Sequence, residues 1–134
     1  MIAGRSRSDL AWIILRVTLA GLIAAHGWAR LIAGGVDPFG NWLNSLGFPF
    51  GHGIAWGVTI IEMAGTPLFA FGRFVAPLSV AYAAIYTVGI ALVHAKAGWF
   101  VVGLGRNGME YSVLLIVTLL CVGAQHLEAR AKVD

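Results

Sequence analysis

The chain has little charge, one cysteine and none of the short motifs that mark common soluble enzymes. Of its 134 residues, 11% are charged, where soluble domains run near one quarter. Too few charged side chains remain to coat a water-facing surface. The single cysteine, Cys121, lies in an apolar run, so an internal disulfide and a dithiol mechanism carried by this chain alone are both excluded. There is no Walker loop, and no GxGxxG stands between a strand and a helix. No Ser-His-Asp arrangement suggests itself, and no HxxxH or CxxC pair points to a metal. The net charge is +3, from scattered basic residues. Nucleic-acid binding uses a basic stripe and is not expected.

What remains is hydrophobic: 59% of the residues. A spanning helix needs about 20 apolar residues, and four such runs use up the length. They cover residues 10–33, 52–71, 74–95 and 109–127. The expected fold is all-α, a single transmembrane domain built as a four-helix bundle in the lipid bilayer. The first run is preceded by Arg5 and Arg7 in the manner of a signal peptide. It is read as a retained helix, because Asp9 and Arg16 interrupt that pattern and the run continues to Ile32. Pro67 should kink the second run, and Pro77 falls in the first turn of the third, where proline is tolerated. Between the first two runs, Gly and Pro punctuate residues 34–51. Phe39, Trp42, Leu43 and Leu46 there make one apolar face of a short interfacial helix. Residues 128–134 read as a charged tail.

Basic residues set the expected orientation. Arg5, Arg7, Arg73, Arg130 and Lys132 fall on one side, and Arg30, Lys96 and Arg106 on the other. The positive-inside rule then puts both termini in the cytoplasm.

The functional signal is polar side chains where lipid should be. A charge deep in a bilayer costs about 2.5–3.5 kcal/mol on insertion scales, so such groups face the bundle and find partners. Glu62 lies near the middle of the second run. It is either protonated or paired, with Arg16 and His26 the candidates within about two turns of its depth. Near the other helix ends, His26 and Arg30 share a face, and His94, Trp99 and Glu110 fall at the same expected level. Each has a plain structural reading: interface anchors for Arg30 and Trp99, a helix-start carboxylate for Glu110, a packing ion pair for Glu62. The expectation drawn from their convergence is a site with Glu62, His26 and His94 as the reacting groups. Arg30, Trp99, Glu110 and Arg16 would bind the ligand.

These residues also carry a resemblance. Arg16 with Gly21, His26-Gly27 with Arg30, Leu46-Gly47 with Pro49, Glu62 with Gly65, His94 with Gly98, and Gly108 with Glu110-Tyr111 occur in order along the chain. In this the chain resembles the DoxX family of small four-helix membrane proteins over roughly residues 13 to 123. Arg30 stands where the family more often has lysine. The resemblance implies a bundle in the cytoplasmic (inner) membrane and a link to redox chemistry. Some relatives are described as the membrane subunit of thiosulfate:quinone oxidoreductase, others as parts of membrane-associated oxidoreductase complexes.

Three functions compete. The first is a quinone-linked subunit taking electrons from a redox partner, because no haem, flavin or iron–sulfur site is evident in the sequence. The second is an anchor or accessory subunit of a larger membrane complex, using small residues such as Gly21, Ala24, Ala25, Gly57, Ala64 and Gly65 for close helix packing. The third is a small-molecule or lipid carrier, which would need a homo-oligomer for alternating access.

Overall fold

Ser6 and Asp9 start the first helix together. The Ser6 hydroxyl accepts from the Asp9 amide at 3.1 Å, and the Asp9 carboxylate accepts from the Ser6 amide at 3.0 Å. This capping box satisfies two donors that a helix start leaves bare. Asp9 thus sits in the first turn of the retained helix and helps to start it.

The computed structural model describes residues 4–133. They form α1 (Arg7–Ile32), α2 (Val36–Ser45), α3 (Gly51–Ala70), α4 (Val75–Ala97) and α5 (Glu110–Ala131). No strand occurs among the described residues. Four of the helices, all but α2, are long and apolar enough to cross a membrane. Their outward side chains fit that solvent: Ile14, Val17 and Leu22 on α1 and Leu114, Val117 and Leu120 on α5 are exposed. Lipid is the medium in which such faces cost nothing to expose.

The chain divides into two compact units, one ending at Arg73 and one starting at Phe74. In the first, α1 and α2 both pack on α3. Val36, Leu43 and Ala55 form a small core, with Phe39 and Trp42 against it. Three of the four residues expected on the apolar face of the short helix thus pack inward; Leu46 lies past the helix end and is exposed. Gly40 lets this happen. A Cβ there would stand 2.6 Å from the His52 ring and 2.8 Å from its Cα. The Asn44 side chain accepts the Gly51 amide at 2.8 Å. The short helix is clamped across the first turn of α3.

Pro67 acts differently from a simple kink. The turn before it, Ile61–Gly65, is widened into a π-helix. Proline cannot donate to the Met63 carbonyl four residues back. The Thr66 hydroxyl lies 2.7 Å from the Glu62 carbonyl and 3.3 Å from that of Met63, the kind of repair that lets proline sit in membrane helices. The widened turn also carries Glu62.

In the second unit, α4 packs along α5. Val75, Tyr82, Leu115, Leu119 and Val122 are buried, and Gly123 meets the buried Ser79 side chain. α4 has its own π turn, Ile90–His94, which no proline foreshadows. α5 runs to Ala131, so most of the expected charged tail is helix. Glu128 and Lys132 pair at 2.7 Å one turn apart there.

Candidate functional site

The site in the first unit is built at the closest approach of α1 to α3. A Cβ on Gly27 would lie 2.9 Å from Glu62 Cβ and Met63 Cγ, and 3.1 Å from the Thr59 carbonyl. One turn on, Arg30 stands on the same face of α1. Helix side chains lean toward the N-terminus, so Arg30 reaches back along α1 to the level of Glu62. Its Nη1 donates to Glu62 Oε2 at 2.6 Å and to Thr59 Oγ1 at 3.1 Å. The Thr59 hydroxyl donates in turn to the Ala55 carbonyl at 2.7 Å. The Phe39 ring of α2 closes the group, 5.0 Å from Arg30 Cζ, within cation–π range. Trp42 stacks on Phe39 with centroids 6.2 Å apart. The Glu62 side chain is 3% exposed and that of Arg30 21%.

Chemically, this is a carboxyl–guanidinium pair set in an apolar wall. Both hydrogen bonds of the guanidinium use Nη1. Among the described residues, Nε and Nη2 make none, leaving one edge of the fork for an acceptor.

The partner of Glu62 is therefore Arg30, not Arg16 or His26. The expectation assumed that the ends of α1 and α3 lie level. Gly27, five residues before the end of α1, packs against Glu62, eleven residues into α3. α3 thus starts about 9 Å beyond the end of α1, and depths counted from helix ends miss by that amount. Thr59 was not singled out by sequence, and Phe39 only as part of the short helix's apolar face; a threonine one turn before Glu62 was the available sign.

Arg16 sits elsewhere. Its Nε donates to the Ala70 carbonyl at 3.3 Å, beside Gly72, eight residues past Glu62, or about 12 Å along α3. It caps the C-terminus of α3, where a cation is favourable. Arg16→Met is expected to cost about 1 kcal/mol and to fray that end, read by thermal unfolding in detergent. An unchanged midpoint would remove this role. His26 is on an exposed part of α1, with its Nδ1 2.8 Å from the Leu22 carbonyl of its own helix.

In the second unit, His94, Trp99 and Glu110 each border or belong to the loop of residues 98–109. His94 Nδ1 lies 2.8 Å from the Asn107 carbonyl. Glu110 Oε1 accepts the Val101 amide at 2.9 Å, and the Trp99 carbonyl accepts the Glu110 amide at 3.0 Å. These bonds go to backbone and hold a loop closed. No three His, Cys, Asp or Glu side chains gather as a metal site among the described residues. Gly21 and Gly57, expected to bring helices close, have open space around them; Gly27 is the real point of approach.

The DoxX family model matches residues 11–95. That span takes in the first unit almost whole, including Arg16, His26, Arg30 and Glu62, and extends through His94. No curated protein and no solved structure matches the chain.

Proposed function

The chain belongs to the DoxX family, and on that premise we propose that this multi-pass membrane protein is the membrane subunit of a quinone-linked oxidoreductase, with Arg30 and Glu62 at its working site. The supporting observation is the buried pair with its spare donor edge. Ionisable groups inside membrane helices mark ligand and proton pathways more often than chance packing. The unused Nε–H and Nη2–H edge of Arg30, beside the Phe39 ring, suits a carbonyl oxygen and a flat ring, so the residues present fit a quinone head.

A bound quinone would supply the two-electron, two-proton couple, with the electrons exchanged through a redox partner protein. Arg30 would hold the carbonyl oxygen through Nε and Nη2. Glu62 would hold or release a proton at its carboxylate, beside the Arg30 guanidinium. His26, exposed one turn before Arg30, would pass protons toward the membrane surface. Arg16 would position the far end of α3. His94, Trp99 and Glu110 would fix the loop after α4. We place the protein in the cytoplasmic membrane with both termini inside. Pairing with Glu62 removes Arg30 from the loop charges and widens the basic asymmetry behind that orientation.

The test is quinone binding to purified protein in nanodiscs, using a short-chain benzoquinone. Arg30→Gln with Glu62→Gln together leaves no lone buried charge. Wild type is expected to bind, and the double variant to lose at least about tenfold in affinity, or roughly 1.4 kcal/mol, while keeping its helical spectrum. Equal binding would end this reading.

One observation favours a second reading, an anchor without chemistry: Arg30 and Glu62 satisfy each other, and the bonds of His94 and Glu110 go to backbone. Native co-purification with a redox partner but without quinone binding would decide for the anchor.

A further inference from the structure

Residues 98–109 make a loop that is tied shut and yet apolar at its tip. The Gly98 carbonyl accepts the Met109 amide at 3.0 Å, that of Trp99 the Glu110 amide at 3.0 Å, and that of Phe100 the Gly108 amide at 3.2 Å. Glu110 and His94 add the two side-chain ties at Val101 and Asn107. Beyond this neck Val102 is 75% exposed and Leu104 90%, and within it Trp99 and Phe100 are near half exposed. Arg106 follows the tip and Lys96 stands in the last turn of α4 just before the neck, both exposed. The loop leaves α4 and enters α5, two helices able to span a bilayer, so its neck lies at a membrane surface.

We propose that this loop is a lipid-binding device whose tip, Val102 to Leu104, enters the headgroup–acyl boundary of the bilayer surface where α4 and α5 end. Lys96 and Arg106 meet lipid phosphates there. Bare valine and leucine are unfavourable in water, and the lipid surface is the apolar medium within reach. Trp99 and Phe100 are residue types that favour this interface. The closed neck means that little ordering entropy is lost on insertion. Depth is bounded too. The tip backbone lies beyond the neck ladder, and hydrocarbon offers its N–H and C=O groups no partner. Insertion stops at headgroup level.

The experiment labels Leu104→Cys with an environment-sensitive nitrobenzoxadiazole dye, in a Cys121→Ala background, in nanodiscs containing phosphatidylglycerol. A second labelled position, Val102→Cys, guards against a local effect. The expected result is blue-shifted emission, little quenching by aqueous iodide, and several-fold stronger quenching by lipid spin labels near the headgroup than by labels near the chain end. Lys96→Gln with Arg106→Gln should weaken the headgroup quenching. Iodide quenching equal to that of the free dye–cysteine adduct overturns the proposal. So does iodide protection that appears in native membranes but not in pure-lipid nanodiscs, since the cover would then be a partner protein.

Discussion

Arg30→Met is expected to destabilise the protein by about 3–5 kcal/mol, the cost of leaving a buried charge without its partner. Glu62 is the member that suffers. Its side chain is 3% exposed, and a short carboxylate at that depth cannot reach water. The reverse change, Glu62→Gln, should cost less, because the Arg30 side chain is 21% exposed and its long stem lets the head move outward. Removing both, as Arg30→Met with Glu62→Met, should restore most of the stability, since buried pairs often gain little over well-packed apolar groups. Loss of helical signal during titration with a denaturing detergent would measure all three. The two singles and the double form a cycle whose coupling term isolates the pair. Additive effects, or a mild Arg30→Met, would show that the pair is not the buried contact described above.

The second large effect concerns one helix and two glycines. Gly27→Val is expected to cost about 1–3 kcal/mol through overpacking. Its Cβ would stand 2.9 Å from Glu62 Cβ and 3.1 Å from the Thr59 carbonyl. Backbone cannot step aside as the end of a side chain can, so α1 and α3 must part at the level of the ion pair. Gly21→Ala on the same helix meets nothing within 4 Å. It should be neutral or gain up to about 1 kcal/mol from helix propensity. Thermal unfolding of the two variants side by side checks the contrast. Equal behaviour would mean that the approach at Gly27 does not hold these helices together.

Legibility from sequence follows the range of the interaction. The four long helices were readable to within about four residues at their ends, because each is a local run of apolar side chains. Residues 128–131, read as the start of a charged tail, continue α5 as helix, with Glu128 paired to Lys132 one turn on. The disturbance at Pro67 was readable, since the missing N–H is a property of that residue. Its form, a widened turn, depends on the Thr66 hydroxyl near the carbonyls of Glu62 and Met63. The π turn at Ile90–His94 has no such marker.

By itself, the sequence determined the solvent and the architecture: so much apolar surface with so few charges leaves only helices crossing lipid, and it required the buried Glu62 to find a partner or a proton. Which partner was left to tertiary structure. That choice rests on the offset between α1 and α3, set where Gly40 admits the short helix onto α3 and Gly27 admits α3 onto α1. An offset between helices is decided by side chains far apart along the chain, and no local pattern records it. The same packing that brought Arg30 to Glu62 left Arg16 at Ala70.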